Sequence, residues 1–210
     1  VVLPLLAFFS ALVIGVFVIA LSDIDKLREG DVGGILTTIK DAYLALPNGA
    51  FNGWRPINET IVATTPLLLA GLAVAITFRA GLFNIGGTGQ MLMGGMGAVY
   101  VGFSMDGPGF IQIPLGVLAG MVMGMAWGII PGLLKARAGV HEVIATIMLN
   151  FIAGSLVLWL LKTDMFGREG RNDPISKLVT PEGQLPRLFG FLDRPELRAH
   201  IGFLIALSAA

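Results

Sequence analysis

Apolar residues fall along this chain in runs long enough to cross a bilayer, which takes about 20 residues at 1.5 Å each. The runs predict membrane helices at about residues 1–22, 58–78, 87–104, 112–134 and 141–162, with a sixth starting near His200. That sixth run has about ten residues before Ala210, half of a crossing. The expectation is an all-α, polytopic membrane bundle with five full transmembrane helices plus the start of a sixth. These form one transmembrane domain over 1–210 of a longer protein. No basic region precedes the first run, so it is read as a spanning helix and not as a cleaved signal peptide.

The polar stretches between the runs set an orientation, because Lys and Arg of short loops stay on the cytoplasmic side. Arg79 follows the second run, and Lys135 and Arg137 follow the fourth, whereas the turn "MDGPG" at 105–109 carries only Asp106. Arg79, Lys135 and Arg137 are therefore placed inside. By alternation the start of the chain is cytoplasmic and the segments 23–57 and 163–199 lie outside. Within the first, "ILTTIKDAYLAL" places Ile35, Ile39, Tyr43 and Leu46 at helical spacing. A short helix there either lies on the outer membrane surface or packs on the bundle. The second holds Pro174, Pro181, Pro186 and Pro195 and reads as irregular or extended.

Composition agrees with a membrane protein: 55% of residues are hydrophobic and 13% charged, against about 45–50% and 25% in soluble domains. Zero net charge gives no reason to expect nucleic acid as a partner. The absence of cysteine excludes disulfides and thiolate metal sites, and His141 alone makes no metal site.

Glycines carry the next signal. Gly116, Gly120, Gly124, Gly128 and Gly132 recur every four residues and share one side of the fourth helix. In lipid, small residues let backbones approach closely, so this face is expected to pack on a neighbouring helix. Met121, Met123 and Met125 beside it are read as lipid-facing or gap-filling. Pro66 and Pro131 are candidate kinks, mobile or static.

"RAGLFNIGGTGQ" (79–90) puts four glycines and several amides and hydroxyls between the second and third runs. A phosphate loop needs G-x-x-x-x-G-K-[ST], and no lysine follows these glycines. A dinucleotide fingerprint needs a soluble βαβ unit, and membrane helices flank this stretch. Broken backbone at membrane depth is tolerated where it is buried in protein or lines a watery cavity. Asn84, Thr88 and Gln90 are therefore candidates for a substrate path, the alternative being that they tie helices together through hydrogen bonds. In "GVHEVIATIMLN" (139–150), Glu142 is read as favouring the N-terminal end of its own helix. Asn150 falls near the midplane, about 13 Å into its span, with Thr146 one turn before it on the same face. Both join the candidate path.

These two stretches resemble the permease subunits of bacterial ABC importers for nucleosides and simple sugars, relatives of the ribose and branched-chain amino acid permeases. The pattern G-L-x-N-I-G-x-x-G-Q is matched at Gly81, Leu82, Asn84, Ile85, Gly86, Gly89 and Gln90. The pattern G-V-x-E-V-I-x-T-x-M-L-N is matched at Gly139, Val140, Glu142, Val143, Ile144, Thr146, Met148, Leu149 and Asn150. The chain departs from the family's frequent Ala-Glu at Gly87-Thr88 and from its frequent Asn at His141.

The resemblance implies a roughly ten-helix subunit of the bacterial plasma membrane. It would pair with a second, identical or paralogous permease, two cytoplasmic ATPases and an extracellular substrate-binding protein. ATP and Mg would be bound by the ATPase, with no cofactor in this chain, and the ATPase-docking segment would lie beyond Ala210.

The residues accord with this picture. There is no Walker motif, and no charged side chain lies deep in a predicted span to serve a proton or ion relay. Asn84, Thr88, Gln90, Thr146 and Asn150 would border the path of a neutral, hydrogen-bonding cargo. Two other readings are half of a secondary transporter or channel for a small neutral solute, and a membrane scaffold whose glycines serve packing alone. Enzyme activity has no support, since no nucleophile, base and orienting group can be placed together.

Overall fold

The computed structural model describes residues 2–192, 194 and 196–210, so Val1, Asp193 and Pro195 lie outside the described residues. The chain divides into two compact units, Val1–Thr60 and Ile61–Ala210.

In the first unit, α1 (Val2–Ser22) is apolar on every side. Large side chains such as Phe8, Val13, Phe17 and Leu21 stand on its surface, as expected of a helix whose solvent is lipid. Asp23 interrupts the helix, and α2 (Ile24–Glu29) ends at Gly30, whose φ of 69° suits glycine. α3 (Val32–Phe51) then starts under an Asp31 cap that accepts a hydrogen bond from the Gly34 N–H at 2.9 Å.

α3 is longer than the short helix expected, and it packs back along α1. The Tyr43 hydroxyl donates to the Leu12 carbonyl at 2.5 Å and sits over Gly15, the only residue type that leaves room for it. Lys26 joins α2 to α3 by donating to the Thr38 hydroxyl at 2.7 Å while pairing with Asp23 at 2.7 Å. The hydrogen bond from Lys26 holds the Asp23 carboxyl below its ordinary range, and the same bond raises Lys26.

The second unit contains most of α4 (Trp54–Arg79), then α5 (Gly87–Ser104), α6 (Gly109–Ala138), α7 (Glu142–Leu160) and α8 (Gly202–Ala209). Helices thus stand where the apolar runs place them, and among the described residues there is no β-strand. Among the described residues four helices, α1, α4, α6 and α7, are long and apolar enough to cross a membrane. α5 is helical over the expected residues but richer in glycine, and Gly89, Met93, Met96, Gly97 and Gly102 bury one side of it. That side packs on α6 and α7, while Met91 and Tyr100 stand exposed on the other.

The α5–α6 contact is made backbone to backbone. A Cβ at Gly120 would stand 3.2 Å from the Gly94 carbonyl oxygen, and one at Gly124 3.2 Å from that of Gln90. At Gly97 it would stand 2.7 Å from the Ala119 carbonyl oxygen. Gly116 faces the Ala98 carbonyl oxygen more loosely, at 3.7 Å, while Gly132 meets nothing within 4 Å. Four of the five stripe glycines therefore face α5, and Pro66, Pro114 and Pro131 sit within unbroken helices.

Between α7 and α8 the described residues are irregular, with two short 3-10 turns and two isolated bridges among them. Gln112, 1% exposed, ties it down. Its Nε2 donates to the Gly102 and Met105 carbonyls and to the Thr180 hydroxyl at 3.1, 2.9 and 2.7 Å.

Candidate functional site

The glycine-rich break is built from its ends inward. α4 stops because Gly81 takes a φ of 74°, and the N–H groups of Gly81 and Leu82 donate back to the Phe78 and Thr77 carbonyls. The chain then runs without helical bonds to Gly86, where Asn84 Oδ1 accepts the Gly86 N–H at 2.8 Å in an Asx turn. Helix resumes at Gly87.

Broken backbone in lipid must find partners, and α7 supplies them. Glu142, Thr146 and Asn150 are spaced by four and share one face of that helix. Glu142 Oε1 accepts the Phe83 N–H at 2.9 Å. Asn150 Nδ2 donates to the Ile85 carbonyl at 3.0 Å, and Asn150 Oδ1 accepts the Gly89 N–H at 2.8 Å. Thr146, 2% exposed, presses on Gly86, where a Cβ would lie 3.2 Å from Thr146 Cβ. One polar stripe of α7 thus seats the whole break.

Beside the seated break lies a cavity of about 450 Å³, bounded by the end of α4, the break, the last half of α6 and the start of α7. Asn84, Gln90 and Thr146 are in its wall, among apolar surface from Phe83, Met125 and Ile129. Gln90 makes no side-chain hydrogen bond among the described residues, and its amide lies over Gly128, where a Cβ would stand 2.6 Å from Nε2. Gly124, Gly128 and Gly132 share the wall. Two charged groups complete it: Lys135, in the last turn of α6, and Glu142, whose Oε2 accepts a hydrogen bond from the Lys135 ammonium.

The five path residues thus divide. Asn84, Gln90 and Thr146 line the cavity; Thr88 is exposed and outside its wall, and Asn150 is spent on the break. Arg79 and Arg137 are exposed at the ends of α4 and α6.

Sequence reasoning missed what Glu142 does. Its oxygens serve Phe83 and Lys135, and its spacing of four from Thr146, and of eight from Asn150, is the signal that places it with them. It also missed Trp127, whose Nε1 is buried without a hydrogen-bond partner among the described residues and lies against Gly89. Among the described residues no cluster of His, Cys, Asp or Glu could hold a metal.

Comparison of the sequence with known proteins places the chain in a family. Residues 57–210 match the family described as branched-chain amino acid transport system / permease component. The chain is 42% identical over 178 residues to the guanosine ABC transporter permease protein NupP of Bacillus subtilis, covering 82% of this chain and 49% of that protein. It is 32% identical over 211 residues to the glucose ABC transporter permease protein TsgB13 of Haloferax volcanii, covering 98% of this chain and 52% of that one. A third relative, the nucleoside ABC transporter permease protein NupB of Lactococcus lactis, is 45% identical over 104 residues, 49% of this chain and 29% of that protein. No solved structure shows a significant match. The chain belongs to this permease family and is a multi-pass helical membrane protein; it spans about half the length of the first two relatives.

Proposed function

We propose that the chain is a permease subunit of an ATP-driven importer and that the cavity beside the glycine break is part of the path for a nucleoside or simple sugar. The observation that carries this is the chemistry of the wall. Neutral amides and a hydroxyl from Asn84, Gln90 and Thr146 stand among apolar surface that includes Phe83. Amides offer donors and acceptors together, and an aromatic face suits a planar base or the apolar face of a sugar. Of the two cargo classes the nucleoside is favoured, because the relatives at 42% and 45% identity are named for guanosine and nucleosides.

In this reading the chain performs transport and no covalent chemistry. ATP and Mg bind to a partner ATPase, and a second permease subunit completes the path across the bilayer. A substrate-binding protein delivers cargo to the outer side, at segment 163–199 and the part of 23–57 not packed along α1. Arg79, Lys135 and Arg137 face the cytoplasm of a bacterial plasma membrane, as does the start of the chain. Alternating access moves cargo past Asn84 and Gln90, while Asn150 holds the break that presents them; Thr88, exposed and outside the cavity wall, stands off this path.

The test is uptake of radiolabelled guanosine by the complete transporter in membrane vesicles. Asn84→Leu and Gln90→Leu at normal membrane levels are expected to reduce ATP-dependent uptake by roughly tenfold or more each, the loss of one or two hydrogen bonds to cargo. Unchanged uptake, or uptake that does not need ATP, contradicts the proposal.

A further inference from the structure

We infer that Glu142 is a positioning residue for cargo: its carboxylate clasps the glycine break to the ends of α6 and α7 and thereby holds Phe83 and Asn84 in the cavity wall. The inference rests on the reading of that cavity as part of the cargo path.

A carboxylate in the first turn of a helix ordinarily serves that helix's own free N–H groups. Glu142 does not. Oε1 takes the N–H of Phe83, on the break, and Oε2 takes the ammonium of Lys135, on α6. α6 and α7 are joined by only Gly139, Val140 and His141, with Gly139 at a φ of 63°, so the ion pair bridges a tight turn. Three separate pieces of chain therefore meet at one side chain.

The pair is also unequally sheltered. The Glu142 side chain is 16% exposed and that of Lys135 44%, so the carboxylate sits inside the clasp and the lysine reaches in from its rim. No other acidic side chain lines the cavity among the described residues. The next residue along the break is Asn84, whose Asx turn sets the geometry of the wall. Freed from Glu142, the Phe83 N–H loses its partner, and of its hydrogen bonds to α7 the segment 82–85 keeps the one from Asn150 to the Ile85 carbonyl.

The two oxygens can be separated by substitution. Glu142→Gln keeps an acceptor for the Phe83 N–H and loses the ion pair, whereas Glu142→Ala loses both. Lys135→Met leaves a sheltered carboxylate without its cation, a larger perturbation than neutralising both partners.

The experiment measures initial rates of ATP-driven uptake of radiolabelled guanosine, or of glucose if guanosine is not carried, by the complete transporter over a range of cargo concentrations. Glu142→Ala is expected to raise KM about tenfold or more with membrane levels unchanged, the scale of a lost hydrogen bond to a charged group. Glu142→Gln is expected to stay within about threefold of the parent, since the lysine it leaves unpaired is 44% exposed and can be solvated. Lys135→Met should raise KM, and adding Glu142→Gln to it should bring KM back toward the parent. An unchanged KM for Glu142→Ala overturns the inference. So does a Glu142→Gln variant as impaired as Glu142→Ala, or a Lys135→Met effect that Glu142→Gln does not relieve. Should Glu142→Ala fail to reach the membrane, the Lys135→Met pair decides alone. Asn84→Leu and Gln90→Leu, run in parallel, separate the two ideas. If they raise KM and Glu142→Ala does not, only the clasp fails; if neither changes uptake, the cavity reading fails and the clasp with it.

Discussion

α6 and α7 each carry a stripe of residues spaced by four, and the two stripes solve different problems. The glycines of α6 remove side chains so that α5 can approach backbone to backbone, with would-be Cβ atoms at Gly120 and Gly124 each 3.2 Å from a carbonyl oxygen. The polar stripe of α7 adds side chains where backbone bonding has been given up, and Glu142 and Asn150 serve Phe83, Ile85 and Gly89. Periodicity reports that a face is used; residue type reports whether the neighbour is a finished helix or a broken one. The cavity lies where the two faces meet across Gln90 and Thr146.

The comparison breaks most readily at the tightest backbone contact. Gly97→Ala puts a Cβ 2.7 Å from both the Ala119 carbonyl oxygen and Met123 Cγ. Overpacking of this kind costs about 1–3 kcal/mol or more, so folded protein recovered in detergent should fall sharply and its melting temperature drop. Asn150→Leu is the matching blow to α7. It leaves the Ile85 carbonyl and the Gly89 N–H without their partner, at about 1–3 kcal/mol for each group that stays dry. A thermal shift of the purified protein checks this.

Smaller effects sharpen the boundary between packing and cavity. Gly128→Ala meets the flexible Gln90 amide at 2.6 Å and no backbone. It should displace that amide at a stability cost of about 1 kcal/mol or less while changing KM for cargo, and Gln90→Ala should relieve the crowding. Smallest of all is Gly132→Ala, at a position with nothing within 4 Å. It should be neutral or stabilising by up to about 1 kcal/mol, the difference in helix propensity, and a melting curve below the parent's would show that this glycine packs on something.

Most of the fold was legible because the elements are set by apolar runs, and helices begin or end near the residues where those runs do. α3 was legible only in part: the spacing of Ile35, Ile39 and Tyr43 marked a helix, but its return onto α1 depends on Tyr43 finding the Leu12 carbonyl over Gly15, a long-range pairing with no local signal. α5 was located correctly, while the packing of one side on α6 and α7 comes from contacts that hydropathy does not carry.

The site divided for similar reasons. Asn84 and Gln90 stood out as polar groups in an apolar chain, and both reach the cavity. Thr88, two residues before Gln90 on the same helix, points elsewhere because neighbours two apart on a helix do not share a face. Glu142 was hidden by its place at a helix start, which offers a sufficient local use for a carboxylate. Only the shared face with Thr146 and Asn150 argues otherwise.

The central claim, that cargo passes the wall beside the break, is tested most directly by thiol labelling. The 210 residues contain no cysteine, so Gln90→Cys and Thr88→Cys each add one thiol, and the unsubstituted transporter supplies the background. Labelling with a small hydrophilic maleimide is followed during ATP-driven turnover, with and without saturating guanosine. The account predicts that guanosine slows labelling of Gln90→Cys severalfold and leaves Thr88→Cys unchanged. Equal labelling of Gln90→Cys in both conditions, in a variant that still transports, would contradict it.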